Sequence, residues 1–111
     1  MENMPLAQTK RALRATEVVA NLAKLEGWRL SGDGTTVAIE KTFTFANYDR
    51  TMAFVNALAF IAHAQDHHPE LIVQQHQCLV RWRSDDVSGI SLADFACAKQ
   101  VDALLAGPAS A

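Results

Sequence analysis

The sequence predicts an α+β fold with the element order αββαββα, in which three helices lie on one face of a four-stranded, mainly antiparallel sheet. Three observations predict it. Two long stretches place apolar residues at helical spacing, two pairs of short stretches alternate at period two, and a capping-box sequence opens a third helix near the C-terminus. At 111 residues and 12.1 kDa the chain reads as a single domain spanning 1–111. About eight residues at the start and about four in the Ala/Ser tail read as frayed.

The first helix is expected from about Thr9 to Glu26, where Leu13, Val18, Val19, Leu22 and Leu25 make a stripe and Gly27 stops it. Ser31-Gly32-Asp33-Gly34 is a turn signal, and Val37, Ile39, Phe43 and Phe45 then recur at period two, as in a hairpin with one buried face. Lys41 interrupts that inward set, as a strand-end residue, a site residue or, preferably, a side chain that buries its stem and keeps its ammonium in water. Asn47 suits an N-cap and Asp49 the first turn of a second helix running to about Asp66. Phe54, Leu58 and Ile61 form one apolar line on it and Val55, Ala59 and Ala62 another, with Phe60 outside both. Burial on more than one side is expected, and in so small a chain a second copy is the simplest cover, which predicts a homo-oligomer.

Leu71-Ile72-Val73 and Cys78 to Trp82 read as two further strands, joined by or continuous through Gln74-Gln75-His76-Gln77. Alternation sets Cys78, Val80 and Trp82 on one face and Leu79, Arg81 and Arg83 on the other. Ser84 to Gly89 turns the chain, and Ser91-Leu92-Ala93-Asp94 opens the last helix, ending near Gly107-Pro108.

Composition excludes several classes of function. A net charge of −2 and a pI near 6.0 supply no basic face for nucleic acid. No stretch approaches the ~18 apolar residues of a membrane span, and Met1 to Lys10 carry no apolar leader core, so a cytoplasmic protein is expected. Cys78 and Cys97 are too far apart for a CxxC motif and read as buried thiols in a reducing compartment. A Gly-rich phosphate loop and a Gly-x-Ser-x-Gly elbow are both absent.

The run His67-His68-Pro69-Glu70 is where chemistry is expected. It breaks a long apolar helix, and Pro69 fixes its own φ and restricts His68, so both imidazoles should lie at the mouth of a helix end. Imidazole is the side chain whose ordinary pKa, about 6.5, suits acid and base work near neutrality. His63 and His67 at i, i+4 also have zinc-ligand spacing, but no glutamate base or third ligand accompanies them, and no metal is expected. Asp94 has a sufficient local role as a cap, His76 reads as solvated, and Trp28 and Trp82 read as core or interface residues. Arg81-Trp82-Arg83 reads as a solvated strand face with one buried tryptophan in preference to a partner-binding stripe.

From about Trp28 to Leu104 the chain resembles the pterin-4a-carbinolamine dehydratases, on the His67-His68-Pro69 run, the Phe54-Val55 helix before it and Gly89-Ile90-Ser91…Asp94 after it. The resemblance implies αββαββα subunits in dimers or tetramers. It also implies a site where three histidines and an aromatic residue surround a pterin and dehydrate a 4a-hydroxytetrahydropterin to the quinonoid dihydropterin, without metal or other cofactor. His67, His68 and Pro69 match that motif, His63 is its ionisable residue four before the pair, and Asp94 is its final aspartate. Counted without gaps, the motif's aromatic falls on Gln75 and its third histidine on Asp85, while Leu71-Ile72 replaces the usual aromatic after the proline.

On the scale of base stacking, losing the aromatic weakens binding of a planar ring by about 1–3 kcal/mol. Losing a positioned acid or base slows a reaction by about 10²–10⁴-fold. A branch of the family associated with bacterial α-carboxysomes has such an eroded site and acts as a RuBisCO assembly factor, and another precedent stabilises a transcription factor's dimerisation segment. The resemblance therefore implies a non-catalytic assembly factor or chaperone with a protein client, RuBisCO by likeness, that is carboxysome-associated. The alternative is an active dehydratase using His67 and His68 with Asp85.

Overall fold

The computed structural model describes residues 10–106. Its elements are α1 (Ala15–Leu22), β1 (Arg29–Ser31), β2 (Ala38–Thr44), α2 (Tyr48–Gln65), β3 (Glu70–Gln74), β4 (Gln77–Trp82) and α3 (Leu92–Ala106), with short 3-10 turns at Gly34–Thr36 and Asp85–Val87. The sheet order is β1-β2-β4-β3 and every pairing is antiparallel, so the predicted α+β architecture is the observed one. The expected frayed ends and the Gly107-Pro108 stop lie outside the described residues.

β4 is the spine of the core. Its Cys78, Val80 and Trp82 are fully buried, while Leu79, Arg81 and Arg83 are half-buried on the opposite face, as the alternation predicts. Ile39 and Phe43 of β2, Phe54 and Leu58 of α2, and Phe95 and Val101 of α3 pack against them. Phe43 and Phe45 flank Phe54 at ring-centroid distances of 4.7 and 5.1 Å.

Lys41 buries its stem as expected, but its ammonium is held by protein partners instead of being left in water. Its Nζ donates to Asp102 Oδ1 and the Glu26 carbonyl, both at 3.0 Å, and lies 5.0 Å from the Phe43 ring centroid. Its stem covers Gly27, whose φ of +85° already favours glycine and where a Cβ would stand 2.9 Å from Lys41 Cε.

Two expectations need correction. Helix α1 starts at Ala15 because the Leu13 N–H donates to the Ile90 carbonyl at 2.7 Å, committing the preceding chain to the approach of α3. It ends at Leu22 because Leu25 N bonds back to the Leu22 carbonyl at 3.0 Å, a turn that leads into Gly27. Helix α2 begins as read, with Asn47 Oδ1 accepting from Arg50 N at 2.8 Å. Only one side of it is covered within the chain, however. Thr51, Phe54, Leu58 and Ala62 face the sheet, whereas Ala59 is exposed and Phe60 is 78 % exposed.

Candidate active site

Helix α2 ends on Asp66, which adopts the left-handed conformation (φ 50°), a region aspartate tolerates better than most residues. The next residue is pulled back, with the His67 N–H donating to the Ala62 carbonyl at 3.1 Å, and Pro69 then directs the chain into β3. This reversal sends the two histidines different ways. The His67 side chain is only 11 % exposed, whereas His68 stays exposed, so the expectation of two imidazoles at the mouth holds for His68 alone.

His67 is fixed on its edge and on its face. Its Nε2 lies 2.6 Å from Asp94 Oδ1, and its ring stacks on Trp82 at 5.4 Å between centroids and 17° between planes. Asp94 is fully buried; its other oxygen, Oδ2, accepts from Ser91 N at 2.9 Å and from Ser84 Oγ at 2.8 Å. The capping role predicted for Asp94 is present, and the same carboxylate also holds an imidazole.

Beside His68 lies a half-open cavity of about 300 Å³ lined by His68, Pro69, Glu70, Arg81, Arg83 and Asp85. Both guanidiniums in its wall are already paired. Arg81 reaches Glu70 at 2.8 Å and Glu40 at 2.9 Å, and Arg83 holds Asp85 together with the carbonyls of Thr35 and Val37. Hydrogen bonding to Glu70, and then to Glu40, raises the Arg81 pKa against the opposing effect of burial. Burial pushes the Glu40 carboxyl up, and the bonds from Arg29 and Arg81 outweigh it, leaving its pKa below the ordinary value. The wall is therefore polar and rigid, and it carries one exposed imidazole.

The structure thus brings His68, Pro69 and Asp85 to one cavity, and it pairs His67, the chain neighbour of His68, with the buried Asp94, neither of which lines that cavity. It does not bring Gln75 there. Gln75 sits in the β3–β4 turn, at the opposite end of a strand that spans roughly 16 Å from the Glu70 end, and its carbonyl accepts from Thr51 Oγ1 at 3.0 Å. His63 is exposed in the last turn of α2, and because His67 lies past the helix end the two lose their i, i+4 relation. Among the described residues no three His, Cys, Asp or Glu side chains form a metal-holding group. Sequence reasoning missed Ser84, which no motif marks, and the contact of Trp82 with a histidine.

Residues 11–104 match the family model described as pterin 4 alpha carbinolamine dehydratase. A Paracidovorax citrulli protein named "Putative pterin-4-alpha-carbinolamine dehydratase" is 60% identical over 100 residues, covering 90% of this chain and 86% of that one. A Bdellovibrio bacteriovorus protein of the same name is 46% identical, covering 85% and 78%. The fold is that of the transcriptional coactivator/pterin dehydratase from Brucella melitensis, with a TM-score of 0.79, 24% identity and coverage of 85% and 98%. A pterin dehydratase-like protein identified as a RuBisCO assembly factor in the alpha-carboxysome aligns with a TM-score of 0.61 at 27% identity, covering 72% of this chain and 90% of that one. With a family model spanning nearly all the described residues and relatives this similar along most of their length, the chain belongs to the pterin 4 alpha carbinolamine dehydratase family.

Proposed function

We propose that the chain is a dehydratase of 4a-hydroxytetrahydropterins, a lyase in which His67 and His68 carry the proton transfers. The observation that carries this reading is the 2.6 Å contact between His67 and the buried Asp94, the arrangement that orients an imidazole for acid and base work. In the reaction the C4a–O bond breaks, the leaving hydroxyl takes a proton and departs as water, N5 loses its proton, and the N5 electron pair forms the C4a=N5 bond of the quinonoid dihydropterin. One imidazole supplies a proton and the other removes one. His68, exposed at the cavity, exchanges protons with the ligand and solvent, while His67 works from a fixed orientation. Asp85, at the position of the family's third histidine, is bound to Arg83 and contributes charge to the cavity wall. The names of relatives up to 60% identical support this reading over one drawn from a structure at 27% identity.

The second reading, a non-catalytic assembly factor for a protein client such as RuBisCO, is favoured by Asp85 in place of an imidazole and by the likeness to the carboxysomal protein. Stopped-flow dehydration of a 4a-hydroxytetrahydropterin separates the two. Turnover well above the uncatalysed rate that falls about 10²–10⁴-fold in His67→Ala supports the enzyme. A background rate, raised by Asp85→His, transfers the reading to the assembly factor.

The reading includes a homo-oligomer in the cytoplasm. Exposed Phe60 on α2, together with Ile72 and Val73 on the edge strand β3, gives apolar surface for a second copy, and both cysteines are free, as in a reducing compartment. Light scattering at micromolar concentration should find a dimer or tetramer; a stable monomer overturns this part.

A further inference from the structure

Behind His67 the hydrogen bonds run in one direction. Ser91 Oγ accepts from Ala93 N at 3.2 Å, which leaves its own proton for Ser84 Oγ at 2.8 Å. Ser84 Oγ, having accepted that proton, donates its own to Asp94 Oδ2 at 2.8 Å. Ser91 N donates to the same oxygen, so Oδ2 is taken up by two donors and Oδ1 is left to accept from His67 Nε2. All three side chains of this chain of donors, Ser84, Ser91 and Asp94, are at most 1 % exposed, so water does not compete for any link. The backbone fixes its middle link: Ser84 N donates to the Gly89 carbonyl at 2.8 Å and Gly89 N returns a bond to the Ser84 carbonyl at 3.2 Å. The segment from Ser84 to Gly89 is thus a closed loop whose first side chain points at Asp94.

We propose that Ser84, backed by Ser91, is a positioning residue for His67. By holding Oδ2 it turns Oδ1 to the imidazole, sets the proton of His67 on Nε2 and leaves Nδ1 as the nitrogen that gives or takes a proton. The hydrogen-bond assignment stands whatever the chain catalyses; its effect on turnover rests on the dehydratase reading.

The test is nitrogen-15 and proton NMR of the full chain labelled at histidine, near neutral pH. In the unmodified protein His67 should show a single tautomer with its proton on Nε2 and a strongly downfield Nε2–H resonance. Ser84→Ala should move that resonance upfield and bring in the Nδ1–H tautomer, and Ser84→Thr, which restores a hydroxyl, should return the original signature. Ser84→Cys, close in size and a weak donor, should show the same change in smaller measure and serves if the alanine variant does not fold. A proton on Nδ1 in the unmodified protein overturns the proposal, as does an unchanged signature in the alanine variant or, in its place, the cysteine one. In turnover, Ser84→Ala should lower kcat about tenfold with KM unchanged. A background rate in the unmodified protein defeats the dehydratase reading, and the tautomer of His67 still decides whether Ser84 positions it.

Discussion

Among the described residues, two carboxylates are withdrawn from solvent, Asp94 at 0 % and Glu40 at 6 % exposure, and they are held in opposite ways. Glu40 lies on the sheet face away from the core, clamped by the guanidiniums of Arg29 at 2.7 Å and Arg81 at 2.9 Å, groups whose charge never changes near neutrality. Asp94 lies among the helices, held by a backbone N–H and a serine hydroxyl, and its remaining oxygen ends on an imidazole. The first arrangement is a fixed brace joining β1, β2, β4 and, through Arg81 and Glu70, β3. The second ends on the side chain best suited to gain or lose a proton near neutral pH. On the dehydratase reading, the first carboxylate is structural and the second chemical, according to what the last oxygen meets.

Substitutions should separate the two. The largest effect is expected in Asp94→Asn, whose amide can still cap α3 but presents an N–H₂ to Nε2, forcing the wrong tautomer. Its kcat should fall about 10²–10⁴-fold with the fold retained by circular dichroism. Retention of full turnover would place Asp94 with Glu40 as a brace. Glu40→Ala should act on stability instead, lowering the unfolding free energy in urea by about 1–3 kcal/mol as the inner side of Arg81 loses its acceptor.

The acid limb of stability gives a third separation. Glu40 sits below its ordinary value of 4.5, and Glu17, bonded to Arg11, is lowered to about 2. Folded values below unfolded ones make both contributions fully present above about pH 4.5 and lost as the pH falls through the folded values. Urea midpoints of the unmodified protein should therefore drop below that pH, and Glu40→Gln should flatten part of the slope. An unchanged slope would mean that Glu40 contributes nothing to the acid limb. The smallest effect belongs to Arg29→Ala, which removes one partner of the brace but a mostly solvated one, 73 % exposed. About 0–1 kcal/mol is expected in the same urea assay.

What was legible in the sequence was local. Alternation in Cys78-Leu79-Val80-Arg81-Trp82 gave both faces of β4, and Asn47 gave the start of α2, because each rests on neighbours in the chain. The His67-His68-Pro69 run marked the helix end that borders the cavity, while Asp94 was legible as a helix cap and, through the family resemblance, as a site residue, and its pairing with His67 was not. Three features were hidden because they depend on contacts distant in sequence or on a single backbone angle. The start of α1 is set by a bond to Ile90, the different exposure of His67 and His68 follows from the left-handed Asp66, and Ser84 reaches the site through Asp94, ten residues on. Gln75 shows the converse. Counting placed it in the site, but a straight strand carries it to the far end of the hairpin.

The stacking of Trp82 on His67 also makes the protein its own optical probe. An indole in face contact with an imidazole loses emission when that imidazole becomes charged, and Trp82 is shielded from bulk quenchers because it is fully buried. The chain has two tryptophans, and the other, Trp28, lies against Phe43 with its N–H on Asp102. In a Trp28→Phe background the remaining fluorescence would read the state of His67 directly, so proton arrival and ligand entry could be followed in real time without a label.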